Sequence, residues 1–226
     1  LTVFKGTEVK NINKYPWITF LVTPKSACTG SLIKQNKILT AGHCFKENEK
    51  YHASFGIITV DDKTLDSYEV VSGKVGPKYR INSNVVNGYD MSIFTTAEYV
   101  KIKPGRVEVA KINFEKVEMG TKLVLAGFGR DFSLTTSNFG VLKEGFLEST
   151  KCREMELGSP ICVLQEGINI QISGSGDSGG PVMLRDSMAI VGTVSGRITY
   201  RGAKTSVYNL YARTSINRMF IERELD

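Results

Sequence analysis

Apolar and polar residues fall in short runs, broken at intervals of roughly ten residues by Gly, Pro, Asn and Asp. The runs at 18–22, 31–33, 38–41, 52–60, 68–71, 92–95, 123–126, 181–184, 189–195 and 207–212 have the β-branched and aromatic content of strands. Many short strands at that spacing point to an all-β barrel or sandwich rather than to βαβ units. A helical pattern appears at the end of the chain, where Ser215 is placed to cap a segment with Ile216, Met219, Phe220 and Leu225 on one side. Its other face mixes Arg218, Glu222, Arg223 and Glu224, so the helix is expected to pack as a terminal clasp and not to lie in a membrane. No internal repeat or low-complexity linker is visible. The polar, Pro-containing stretch 101–105 separates the first series of strands from the second and is the best boundary between two similar β units.

The chain has 226 residues, 41% hydrophobic and 23% charged, which is an ordinary globular composition with length for one large domain or two small ones. No apolar run approaches the ~18 residues of a membrane span. The 29 basic and 23 acidic residues leave a charge of +6, but the two signs are interspersed, as in Lys46-Glu47-Asn48-Glu49-Lys50. That is a solvated surface rather than a nucleic-acid patch. With 2 histidines and 4 cysteines, and no C-x-x-C pair, no metal centre or other cofactor is expected. An even cysteine count at moderate separations fits two disulfides in an oxidising compartment, which points to secretion, with Leu1 beginning a mature or engineered chain. No N-x-S/T acceptor occurs, so N-glycosylation is not expected.

The segment Ile172-Ser173-Gly174-Ser175-Gly176-Asp177-Ser178-Gly179-Gly180-Pro181 has the composition of a flexible linker. Two features weigh against that reading. Asp177 directly before Ser178 and two glycines after it permit a tight turn with N–H groups facing one point, as an oxyanion requires, and strand-like runs flank the segment. A serine becomes a nucleophile only beside a base, and only His43 and His52 can serve. His52, in Lys50-Tyr51-His52-Ala53, reads as an ordinary strand or surface histidine. His43, in Leu39-Thr40-Ala41-Gly42-His43-Cys44, follows an apolar strand beside a candidate disulfide and is either a core histidine or the base. The base needs a buried carboxylate to orient it. Asp90, in Tyr89-Asp90-Met91-Ser92-Ile93-Phe94, sits among apolar residues where an ionised group needs hydrogen-bonding partners; the competing reading is a turn aspartate after Asn87-Gly88.

Together these residues resemble the chymotrypsin-like (trypsin-like) serine endopeptidases. The match lies in Leu39-Thr40-Ala41-Gly42-His43-Cys44, Asp90-Met91-Ser92-Ile93 and Gly176-Asp177-Ser178-Gly179-Gly180-Pro181, in the family's order. It extends through Tyr15-Pro16-Trp17, Cys28-Thr29-Gly30-Ser31-Leu32-Ile33, Gly127-Phe128-Gly129 and Tyr211-Ala212-Arg213. The resemblance implies one all-β peptidase domain of two packed six-stranded antiparallel β-barrels (chymotrypsin-like), at about 16–104 and 105–214, with a C-terminal α-helix at about 215–225. It implies that Ser178 attacks the scissile carbonyl, His43 shuttles the proton and Asp90 holds the imidazole tautomer, the roles of the triad template drawn from this same family. The N–H groups of Gly176 and Ser178 would bind the oxyanion, at ~3–4 kcal/mol per donor. Ser195 resembles the serine that supports the buried Asp. Cys28 with Cys44, and Cys152 with Cys162, match two of the family's disulfides. Leu123 and Leu184 stand where another pair would sit, and Gly174 occupies one half of a further bridge, implying a looser pocket wall. The partners implied are protein or peptide substrates and protein protease inhibitors, with no nucleic acid and no membrane, and a monomer is expected.

The chain departs from the family pattern in two places. Ile172 stands at the base of the specificity pocket, where trypsin-like members carry Asp, so cleavage after Arg or Lys is disfavoured and an apolar side chain is the default. Around it Ser195, Gly196, Arg197 and Asn209 complete the pocket, without the common aromatic residue after the serine and with Asn209 in place of a glycine; Arg197, Arg201 or Lys204 reaching in would favour an acidic side chain. Activation in this family frees an apolar terminus that pairs with the Asp before the nucleophile, here Asp177. The usual start aligns with Val3 or Phe4, so the expectation is a zymogen-like form, with Asp177 unpaired to the Leu1 amine and the oxyanion loop partly collapsed. A secreted endopeptidase and a catalytically silent protease-like binding protein are both consistent with the chain; the complete triad and Gly176 favour the enzyme.

Overall fold

Strand-like runs from the first half of the chain find their partners within that half, and those of the second half do the same apart from one short N-terminal strand. The computed structural model describes residues 3, 6–62, 66–80, 88–129, 140–152, 160–165, 173, 175–201 and 205–226. After the two-residue strand β1 (Thr7–Glu8) come β2 (Ile18–Val22), β3 (Ala27–Lys34), β4 (Lys37–Thr40), β5 (Tyr51–Phe55), β6 (Asp66–Val75) and β7 (Ser92–Thr96). These last six form a closed antiparallel barrel in the order β2-β3-β4-β7-β6-β5. The second half contributes β8 (Lys122–Gly127), β9 (Lys143–Glu148), β10 (Ile161–Gln165), β11 (Pro181–Leu184), β12 (Ile190–Tyr200) and β13 (Ser206–Arg213), followed by helix α1 (Arg218–Leu225).

The second unit differs from the expected six-stranded barrel. Among the described residues it is a seven-stranded sheet in the order β1-β9-β8-β11-β12-β13-β10, because β1 joins β9 by pairing Thr7 with Glu144. β9 and β10 were absent from the strands read off the apolar pattern. β9 opens with Lys143 and Glu144, which read as loop residues, yet both are buried. The burial of Glu144 is possible because Lys14 pairs with it at 2.6 Å and the Tyr15 hydroxyl donates to the same carboxylate. At the other end of the scale, the expected strand 52–60 stops at Phe55, where Gly56 turns the chain with φ +69°, a conformation that costs glycine little.

Three apolar clusters form the core. Leu32, Ile38, Phe55 and Phe94 fill the barrel; Leu123, Leu125, Val182 and Tyr211 lie behind the second sheet. Leu39, Met91 and Ile93 from the first half join Val124, Met183 and Ile190 from the second in the third cluster, so the two units share a core. Both disulfides form, Cys28–Cys44 and Cys152–Cys162, closing separations of 16 and 10 residues, and the chain has no free cysteine among its described residues. Loop closure on that scale contributes ~3 kcal/mol in the chain-entropy account. Leu123 and Leu184, read as a substitute for a lost cross-link, are register partners on β8 and β11, Leu123 fully buried.

The terminal helix corrects a second expectation. Ser215 does not cap it: Ser215–Asn217 form a 3-10 turn, and the residue just before α1, Asn217, makes no side-chain cap. The buried stripe is Asn217, Phe220, Ile221 and Glu224, while Met219 is 87% exposed. A hydrophobicity pattern misses this stripe because two of its members are polar and paired: Asn217 donates to the Gly88 and Arg213 carbonyls, and Glu224 meets Lys74 at 2.8 Å. No helix among the described residues is long and apolar enough to cross a membrane. Phe220→Ala is expected to lower stability by ~3–4 kcal/mol and Met219→Ala by less than about 0.5 kcal/mol, read from urea unfolding of the disulfide-intact protein.

Candidate active site

His43 and Asp90 come from the ends of two paired strands. β4 and β7 are neighbours with Thr40 opposite Ser92; His43 lies in the 3-10 turn Gly42–Cys44 just after β4, and Asp90 just before β7. The Ser92 hydroxyl donates to the Ala41 carbonyl at 2.7 Å and ties the two ends together. Asp90 is 1% exposed and its two oxygens have separate work. Oδ1 accepts from the His43 backbone N–H at 2.9 Å, and Oδ2 lies 2.7 Å from His43 Nδ1. Ser195 reaches Oδ2 from the second unit, donating its hydroxyl at 2.5 Å. It stands at a register shift of β12, between Val194 and Gly196, and such a bulge re-aims a side chain. The turn-aspartate reading of Asp90 and the core-histidine reading of His43 both give way to this arrangement. His52 is exposed on β5 and far from any such role.

Ser178 precedes β11 in a loop held against the first barrel. The Thr29 N–H donates to the Ser178 carbonyl at 2.9 Å, the Thr29 hydroxyl donates to the Gly176 carbonyl at 2.8 Å and accepts from Phe128 N at 3.1 Å. The Ser178 carbonyl is also 3.7 Å from Cys44 Sγ, which brings the serine loop to the turn that carries His43. Gly176 and Gly179 take φ +95° and +77°, the left-handed region. At Gly179 a β-carbon would sit 1.9 Å from Thr40 Oγ1, so the close approach needs glycine as much as the dihedral does. Neither the Gly176 nor the Ser178 N–H donates to a protein acceptor among the described residues. Ser178 Oγ and His43 Nε2 are not hydrogen-bonded to each other, a looseness common before substrate arrives.

A cavity of about 190 Å³ opens beside Ser178, and Ser195, Gly196, Arg197 and Asn209 all line it, together with Ser173, Ser175 and Val194. Arg197 is exposed at its rim and Asn209 is fully buried. Ile172, Gly174 and Lys204 lie outside the described residues. So does Leu1, and with it the expected separation of its amine from Asp177. Val3 is fully buried against the apolar cluster of the second sheet, and Asp177 is buried with Oδ1 accepting from Gly129 N at 2.9 Å.

Two side chains with a part in this site had no role in the sequence reading. Thr29 was part of a quoted motif, but nothing local shows that it reaches Gly176, 147 residues on. Tyr79 packs on Gly42, where an added β-carbon would meet its ring and Asp90 Oδ1 at 3.0 Å each. Burial first, and then the Asp90 charge, push its phenol up to about 12, so it covers the carboxylate as a neutral group. The ring also lines a second cavity, of about 720 Å³, on the far side of His43 with Phe45, Val75 and Pro77. The described residues contain no group of three or more His, Cys, Asp or Glu that could hold a metal.

Comparison with known proteins agrees with this geometry. Residues 4–221 match the family model described as Trypsin. The cercarial protease of Schistosoma mansoni is 31% identical over 210 residues, covering 86% of this chain and 79% of that protein. A trypsin of Saccharopolyspora erythraea is 24% identical over 226 residues, covering 90% and 91%. Among solved structures, mouse neuropsin superposes with a TM-score of 0.80 over 99% of this chain at 18% identity, which bears on the fold. The chain is a chymotrypsin-like serine endopeptidase and belongs to the trypsin family.

Proposed function

We propose that the protein is a secreted endopeptidase that cleaves proteins and peptides through an acyl-enzyme, with Ser178 as nucleophile, His43 as general base and acid, and Asp90 as the group that orients and charges against the imidazole. The buried Asp90 carboxylate, shared between His43 and Ser195, is the observation that carries this reading. With Nδ1 donating to Asp90, the basic nitrogen of a neutral His43 is Nε2. It takes the Ser178 proton as Oγ adds to the carbonyl carbon, and the resulting imidazolium is stabilised by Asp90. The N–H groups of Gly176 and Ser178 receive the oxyanion; collapse expels the amine with the proton returned from His43, and water repeats the sequence on the ester. The cavity beside Ser178 receives the side chain before the scissile bond. Its described lining holds no carboxylate and bears Arg197 at the rim, which supports a preference other than Arg or Lys and an apolar residue as the default. Two disulfides support an oxidising, extracellular setting, where protein inhibitors of such enzymes would also bind.

Reaction with a fluorophosphonate followed by peptide mapping tests the assignment: the label is expected on Ser178 and nowhere in Ser178→Ala. Labelling of another serine, or none, would remove the reading. Asp90→Asn is expected to lower kcat ~10⁴-fold with folding intact, because the amide holds the wrong imidazole tautomer. Ser195→Ala, which strips one hydrogen bond from a charged acceptor, is expected to cost ~10–100-fold in kcat/KM, measured on a peptide whose cleavage product is fluorescent.

A further inference from the structure

The cavity beside Ser178 is lined by a side chain that no described residue satisfies. Asn209, on β13 opposite Arg197 of β12, is 0% exposed and lines the cavity, and neither its amide nitrogen nor its amide oxygen has a hydrogen-bond partner among the described residues. Buried polar side chains are generally paired, and Asn217, similarly buried in the same half of the molecule, donates at 3.0 and 2.7 Å. Ser31 and Thr193 each leave a buried hydroxyl without a partner, but among the described residues only Asn209 leaves both polar atoms of its side chain so. An orphaned amide has two donors and one acceptor to satisfy. An alkyl side chain meets neither. A carboxylate takes the N–H groups but sets a negative charge against the carbonyl oxygen; an ammonium does the reverse. A primary carboxamide meets both at once, in a cyclic pair of N–H···O bonds, and brings no net charge into the pocket.

We propose that Asn209 selects substrates whose residue before the scissile bond ends in a primary carboxamide, glutamine ahead of the shorter asparagine. The inference rests on the reading of this cavity as the site for that residue, and it refines the apolar default: the stem of glutamine is apolar and only its tip is read. A site built to hydrogen-bond a buried group discriminates sharply against analogues that lack it, because they leave the protein's own polar atoms unpaired.

The test uses the full chain and fluorogenic peptides identical except for Gln, Asn, Met, Glu or Lys before the scissile bond. Fluorophosphonate labelling first establishes active Ser178. Glutamine is expected to exceed the near-isosteric methionine by at least about 10-fold in kcat/KM, and Asn209→Leu to invert that ratio. Asn209→Asp keeps the side-chain shape but removes the donors, so it is expected to lower the glutamine-to-methionine ratio about 10-fold and raise the lysine-to-methionine ratio, which keeps the test alive where the leucine variant does not fold. A wild-type ratio at or below one, a glutamate preference that credits Arg197 instead, or a ratio unchanged in a folded variant overturns the role of Asn209. Failure to label Ser178 overturns the peptidase reading and this inference with it; labelling without a glutamine preference overturns this inference alone.

Discussion

One buried negative charge governs the architecture. An ionised carboxylate that is 1% exposed costs several kcal/mol unless donors surround it, and the donors around Asp90 come from separate parts of the chain. His43 supplies a backbone N–H and a ring nitrogen from the end of β4, and Ser195 supplies a hydroxyl from a bulge in β12. The Tyr79 ring excludes solvent beside them. The carboxylate is therefore satisfied only when the first barrel and the second sheet are packed together. Forming the site and joining the two units are the same event.

The join itself runs through a polar side chain at a strand of the first barrel. Thr29 binds the carbonyls and N–H groups of Gly176, Ser178 and Phe128, and Thr40 holds the Thr29 carbonyl at 2.9 Å. The shared apolar cluster supplies the bulk of the attraction between units, since burial is roughly proportional to area and indifferent to direction. The hydrogen bonds around Thr29 set the alignment within that contact. Two units could associate through their apolar faces in several ways, but Ser178 arrives at the His43 turn in the one that satisfies Thr29.

Where function depended on local order along the chain, the sequence was legible. Short motifs around His43, Asp90 and Ser178 carry their chemistry in adjacent residues, and ten of the strands show in the apolar pattern because their runs are rich in β-branched and apolar residues. Legibility failed at several polar residues that are buried by a partner far away in sequence and lie in no short motif. Lys143 and Glu144 hid β9 because Tyr15 and Lys14 satisfy Glu144 from about 130 residues off. Asn217 and Glu224 entered the buried stripe of the helix for the same reason. Asn209 was placed in the pocket from its position alone, and only the packed structure reveals that its amide has no partner among the described residues.

The glycine after Ser178 belongs to this account as well. Its missing β-carbon is what lets the serine loop settle between Thr40 and the Thr29 carbonyl, with the nearest distances for an added atom at 1.9 and 2.6 Å. In a survey of tolerated substitutions it would score as intolerant as the nucleophile, and its loss would look like a loss of catalysis. The physical cause would be different: a methyl group there acts as a wedge that keeps two correctly folded halves from meeting.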